Sequence, residues 1–220
     1  MEDSGIGFAP IKIDSGKNIH VISGVSGQLL KVDDQLNRLG EVSQPFPALI
    51  TSSTIVKEKW IGVWVERDLR QARMAAFDLN EAWSDGETKA ELRSNKLDSA
   101  LHPSSSIWSQ ILDSEPTALS NVENSICFST INRGIYRIND ESKEIWRAEI
   151  PEWKQISKIN SLDEIIGFLN TEEGTILFSK AGGFAVIDGS GNIAKKGVLK
   201  LPEVVTGVQY EKEKGWFIKL

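Results

Sequence analysis

The sequence predicts an all-β fold, and three observations carry that prediction. Apolar runs are short, mostly five to seven residues, as in WIGVWVE, SICFST and GTILFSK. Gly, Asn, Asp or Ser bounds most of them, the mark of hairpin turns rather than of the longer connections that helices would need. A third regularity is a four-residue pattern, apolar at its first and third positions and ending in an acid or amide, which recurs along the chain.

Taken in order, GFAPIKID and NIHVIS read as the first strands, GQLLKVDD as the next, and NRLGEV as a weaker fourth. The proline-marked QPFPALITS leads into WIGVWVE, where Trp60 and Trp64 are four residues apart and share one face. Ile61, Val63 and Val65 take the other, so this strand is buried on both sides. RDLRQARMAAFDLNEAW supplies the following strand. The same stretch also has helical spacing in Leu69, Ala72, Arg73 and Ala76, but the repeat register argues against a helix. Residues 84–106 form a polar insertion, with Leu92, Leu97 and Leu101 spaced for one or two helical turns. Beyond it come SICFST, GIYRIND and KEIWRAEI, then IPEWKQISK as the next entry. EIIGFLN, GTILFSK, GGFAVIDG and NIAKKGVLKL follow, and LPEVVTGVQ leads to GWFIKL.

The recurring pattern comprises Leu30 to Asp33, Ala75 to Asp78, Tyr136 to Asn139, and Ala185 to Asp188. Its first and third residues project to one side of a strand, and its last can cap a turn by accepting a backbone N–H two residues on. The intervals are 45, 61 and 49 residues, the middle one lengthened by the insertion. Such a period, roughly 40 to 50 residues, is that of a four-stranded propeller blade.

On these residues, and above all on GIYRINDESKEIWRAEIP, the chain resembles the quinoprotein-like β-propellers and, more loosely, the WD-repeat class. The turn DESKE lacks the usual glycine, and the docking tryptophan occurs only at Trp146; Gly40, Asp85 and Lys195 stand near the equivalent place elsewhere. The resemblance covers about residues 6 to 220 and implies one propeller-like domain over residues 1–220, with four to five antiparallel blades of four strands. It implies no cofactor. Three states of that array stay open: a closed ring, part of a longer propeller, or an arc that a partner completes by pairing at the open C-terminal edge, Trp216 to Leu220.

Charge narrows the partner classes. A net charge of -6 and a pI near 5.1, with no clustering of basic residues, disfavour a nucleic-acid partner. The only cysteine, Cys127, sits in SICFST as a small buried hydrophobe and makes no intramolecular disulfide. MEDSGIGFAP has neither the basic nor the apolar region of a secretory signal, so a cytoplasmic location is expected. No window approaches the ~18 apolar residues of a membrane span.

The stretch GGFAVIDGSGNI invites a metal reading, because Asp188, Ser190 and Asn192 alternate as calcium ligands do. A calcium loop needs glycine and then a bidentate acid further on, where this chain has Ile193 and Leu199. Gly189 and Gly191 instead supply the positive φ of a hairpin turn. Gly5 to Gly7 and Gly24 to Gly27 are not followed by the helix and Lys-Ser/Thr of a phosphate loop. Two histidines, His20 and His102, are too few for a zinc site, and neither G-x-S-x-G nor H-E-x-x-H occurs. The acidic pairs Asp33-Asp34, Asp140-Glu141 and Glu172-Glu173 lie at turns, where solvated capping is the common role.

No catalytic, metal or cofactor residue is therefore assigned. Trp108 and Trp153, beside loops bearing serine and proline, are the candidate partner-binding anchors, with packing between blades as the competing role. The expected function is a non-catalytic binding or scaffolding module that holds a protein partner through its loops. The alternatives are an enzyme of quinoprotein or propeller-hydrolase type, and a truncated part of a larger propeller protein.

Overall fold

The computed structural model describes residues 5–67, 71–94, 102–131, 133–156 and 164–220. They group into two compact units, Met1–Leu112 and Asp113–Leu220.

Unit 1 begins with β1 (Pro10–Ser15), β2 (His20–Gly24) and β3 (Leu29–Val32), an antiparallel sheet in chain order. A four-stranded sheet follows, made of β4 (Leu49–Val56), β5 (Lys59–Glu66), β6 (Gln71–Asp78) and β7 (Trp108–Leu112). The short helix α1 (Lys89–Ser94) lies in the connection from β6 to β7. Unit 2 repeats the plan twice. The first copy is β8 (Pro116–Val122), β9 (Ser125–Thr130), β10 (Gly134–Ile138) and β11 (Glu144–Ala148). The second is β12 (Ile165–Thr171), β13 (Gly174–Ser179), β14 (Gly183–Ile187) and β15 (Ile193–Val198). A hairpin of β16 (Gly207–Glu211) and β17 (Gly215–Lys219) closes the order. Every sheet is an antiparallel meander whose strands follow one another in sequence, the form of a propeller blade.

The helical alternative for residues 67–83 is not what forms. β6 pairs with β5 residue for residue, from Lys59 opposite Asp78 to Glu66 opposite Gln71. Both faces of β5 are covered, as its composition demands: Trp60 and Trp64 are buried on one side, Ile61 and Val63 on the other. Gly62 makes the first side possible. A Cβ there would meet the Trp60 ring at 2.3 Å and the Trp64 ring at 2.9 Å, so the two indoles approach over a residue that has none. Their rings lie edge to face at 5.7 Å, and Phe77, Phe46 and Trp83 complete the cluster. Each such aromatic pair adds roughly 0.5–1.5 kcal/mol beyond the area it buries.

In unit 2 the core gathers Val122, Cys127, Ile135, Trp146, Trp153, Phe168 and Leu177. Cys127 on β9 is buried, and loss of water pushes its thiol up to about 12. That is the inert core thiol its neighbours in SICFST foretell.

The four predicted anchors all end the third strand of a sheet, and all cap. Asp33 accepts from the amides of Gln35 and Asn37, and Asp78 from that of Asn80. Asn139 accepts from Glu141 and Lys143, Asp188 from Ser190 and Asn192. In three of the four turns the residue three places on, Leu36, Ser142 or Gly191, is left-handed, with φ of 63°, 67° and 87°. Its amide returns to the anchor carbonyl. GGFAVIDGSGNI is thus the hairpin from β14 to β15, though Gly191 alone of its two turn glycines has a positive φ; Gly189 does not need glycine's freedom.

One expected strand is missing. NRLGEV touches β3 only at the isolated bridge of Val32 with Arg38, and Leu29 bridges Ser43 just beyond it. Gly40 between them, at φ 137°, takes the chain out of the extended run, so more residues span the gap than a ladder can pair.

Candidate functional site

The connection from β6 to β7 is where this chain departs most from its own repeat. It leaves the sheet at Asp78, whose side chain caps Asn80, but the tight return seen at the other anchors is replaced. The Asp78 carbonyl accepts from the indole Nε1 of Trp83 at 2.8 Å, where its counterparts accept a backbone amide three residues on. Trp83 packs on Phe77 at 5.2 Å, and the ammonium of Lys31 lies 5.1 Å over its ring. Lys31 also donates to the carbonyls of Leu79 and Glu81. Burial lowers its pKa, against the opposing pull of Asp78 and Glu81.

Hydroxyls close the neck of the insertion. Ser84 Oγ lies 2.7 Å from Ser104 Oγ and 2.9 Å from Ser105 Oγ, and the Ser84 amide donates to Ser105. The segment then runs against residues 44–45. The Gln44 amide donates to Asp85 Oδ1 at 2.7 Å, Gly86 donates to the Gln44 carbonyl, and Ser104 donates to the Pro45 carbonyl. Gly86 must be glycine for this approach, since a Cβ would fall 2.0 Å from the Pro45 oxygen.

A capping box then starts α1. Thr88 and Glu91 bond reciprocally, and both the amide and the hydroxyl of Thr88 hold the Glu91 carboxyl below its ordinary pKa. Leu92, 4% exposed, drives the helix into the core of unit 1. Lys89 reaches Glu66 at the end of β5, 3.9 Å away. Residues 95–101, which include Leu97 and Leu101 of the expected helical spacing, lie outside the described residues.

Docked in this way, the insertion forms the outer wall of an open cleft of about 490 Å³. Asp85, Glu87 and Lys89 line one side, Ser26, Gln44 and Leu49 the other. Leu49 is 55% exposed there, an apolar surface rimmed by charge and amide groups.

The two tryptophans singled out by sequence are placed differently. Trp108 is half-buried on β7, where the insertion rejoins the sheet, opposite Ala76. Trp153 is 2% exposed in the core of unit 2, with its Nε1 donating to the Phe184 carbonyl at 3.0 Å. Its ring fills the space above Gly183, where a Cβ would come within 2.6 Å. In this unit its ring is packed in the core, as the competing reading of Trp153 has it.

His20 bonds Asp34 at 3.0 Å, and His102 bonds Ser109 in the insertion's return. Among the described residues no group of three or more His, Cys, Asp or Glu side chains is arranged to hold a metal, and no helix is long and apolar enough to cross a membrane.

No family model matches this sequence, and no curated protein matches it either. The likeness is to solved β-propellers. The β-propeller domain of Cps50 (Swd1) from Myceliophteria thermophila is 9% identical, with a TM-score of 0.65 over 96% of this chain and 62% of that one. The WD40 β-propeller domain of Doa1 is 8% identical, with a TM-score of 0.64 over 97% of this chain and 62% of that one. BBS1N, solved in complex with ARL6DN, is 10% identical, with a TM-score of 0.55 over 91% and 57%. The chain spans about three fifths of the length of these propellers. At such identities the likeness is one of fold, and the fold is the β-propeller kind.

Proposed function

We propose that this chain is a non-catalytic protein-binding module, and that the cleft between the docked insertion and residues 44–49 is where it holds its partner. The observation that carries the reading is the insertion itself. A connection that takes a few residues elsewhere in the repeat becomes a long segment here, held by a buried leucine, a seryl neck and backbone bonds to residues 44 and 45. Binding residues characteristically sit on loops that a rigid scaffold positions.

Propeller neighbours support a scaffold, and BBS1N, solved with a protein partner, is one of them. Leu49 supplies the apolar floor, and Trp108 is the aromatic contact where the insertion ends. A cytoplasmic location belongs to the same proposal.

The test is affinity capture from cell extract with the wild-type chain and with Leu49→Asp and Trp108→Ala. A protein retained by the wild type and reduced roughly tenfold or more by Leu49→Asp, with an unchanged melt, is the expected result. Equal retention by wild type and Leu49→Asp would overturn the reading, as would tight binding of a small molecule in the cleft.

A further inference from the structure

The first strands of the two sheets in unit 1 carry the same irregularity, one extra residue against the second strand. In β1 it is Ile11, where Pro10 faces Gly24 and Lys12 faces Ser23; in β4 it is Thr51, between Ile50 and Ser52. A bulge leaves its extra residue outside the ladder and bends the strand. Here the two bulged residues line one small open cavity of about 230 Å³, together with Lys12, Ser23, Ser52 and Ser53.

Unit 2 shows how such a place is filled by the chain itself. β8 bulges at Thr117, with Ala118 facing Ser129, so Thr117 and Ser129 stand where Ile11 and Ser23 stand in β1 and β2. The Thr117 hydroxyl lies 2.6 Å from Ser129 Oγ and satisfies it. Ile11 has no hydroxyl to give and is 54% exposed. Ser23, 1% exposed, is left with an Oγ that finds no partner among the described residues. Buried hydroxyls are paired as a rule, and one left over at a cavity wall calls for a partner from outside the chain.

Charge selects the class of that partner. The Lys12 ammonium has three N–H bonds, and Asp14 at 2.6 Å, the Ser53 carbonyl and the Ser53 hydroxyl at 3.1 Å take all three. Lys12 therefore brings no unpaired charge to the cavity. Ser53 Oγ, accepting from Lys12, keeps its own proton to donate, and Ser23 can both donate and accept. Groups of that kind match hydroxyls on a ligand, while Ile11 and Ile50 flank them with apolar surface that matches a carbon skeleton.

We infer that this cavity binds a small neutral polyol through the hydroxyls of Ser23 and Ser53. Its volume is below that of pockets for drug-sized ligands and suits a molecule the size of glycerol. The site shares no lining residue with the insertion cleft.

The test is a titration of glycerol into the full 220-residue chain, with backbone amides followed by NMR. Saturable shifts centred on Lys12, Ser23, Ser52 and Ser53 are expected, with a Kd on the order of 1–10 mM, as so few ligand atoms allow. Ser23→Ala removes the orphan and should weaken binding roughly tenfold or more without lowering the melt, since no described residue bonds that hydroxyl. Ile11→Thr places a hydroxyl where Thr117 stands in unit 2 and gives Ser23 an internal partner, so it should abolish the saturable shifts and raise the Tm. Leu49→Asp, in the cleft, should leave them as they are. Shifts that grow linearly without saturating overturn the inference, as does equal saturation in wild type, Ser23→Ala and Ile11→Thr. The same shifts from inorganic phosphate would make this an anion site, and a nuclear Overhauser effect from solvent to Ser23 without saturable shifts would make it the site of an ordered water. Either result overturns the polyol.

Discussion

The chain leaves Asp78 in unit 1 and Asp188 in unit 2 from the same kind of strand end, with the same cap, and does opposite things. At Asp188 a left-handed Gly191 aims its amide back at the anchor carbonyl and the chain returns at once as β15. At Asp78 the carbonyl is claimed by the indole of Trp83, and the chain departs for the insertion. The aspartate begins a turn without deciding its length. What decides it is which donor satisfies the carbonyl, a nearby amide on a left-handed residue or a ring five residues on that is itself packed against the core.

The largest expected effect comes from releasing the docked segment. Leu92→Ala empties a buried site and should cost about 2–5 kcal/mol, with the loss in unit 1, while the tight turns of unit 2 keep their protection in amide hydrogen exchange. Loss of protection at Asp188 and Gly191 in this variant would break the distinction drawn between the two connections.

Smaller effects follow from the left-handed position. Gly191→Ala strains a φ of 87° and brings a methyl to within 3.1 Å of Trp146, so a loss of about 1–2 kcal/mol is expected in chemical denaturation. Leu36→Gly, at the matching place in the first turn, should gain about 0.5–1 kcal/mol, because Leu36 is left-handed and exposed. Opposite signs at equivalent positions are the point of the pair. Equal signs would mean that the turns are not equivalent.

The smallest effect is on pH dependence. Hydrogen bonds from the Asn192 and Ser190 amides hold the Asp188 carboxyl below its ordinary pKa. A carboxylate with a depressed folded pKa stabilises above its unfolded value, about 3.9, and loses that contribution as pH falls through the folded value. Asp188→Asn keeps an acceptor, as Asn139 does naturally, and cannot be protonated in this range. The Tm difference between wild type and Asp188→Asn should therefore change between about pH 5 and pH 2, and stay constant above.

These anchors were legible in the sequence because apolar alternation and a capping side chain are both local properties. So was the long interval, which located the insertion. Its docking was not read, although Thr88 and Glu91 form a recognisable capping box just ahead of the buried Leu92. NRLGEV was over-read as a strand because Gly40 reads equally as a turn boundary and as a break. The burial of Trp153 was not legible in its loop and proline neighbours. Its burial depends on Gly183, thirty residues away, and such complementarity between a ring and a missing side chain has no local signature. The cleft brings together residues 26, 44–49 and 85–89, a juxtaposition made by tertiary structure alone.

The aromatic cluster around Gly62 has one more consequence, an optical one. Trp60, Trp64 and Trp83 hold their indoles at fixed tilted angles within 6 Å, 5.7 Å for the first pair and 5.8 Å between Trp60 and Trp83. Transition dipoles so arranged couple, and the near-ultraviolet circular dichroism of unit 1 becomes a chiral signal of the assembly rather than of any single ring. Because Trp83 belongs to the connection and Trp60 to the sheet, that signal registers whether the insertion is seated, without a label and in the intact chain.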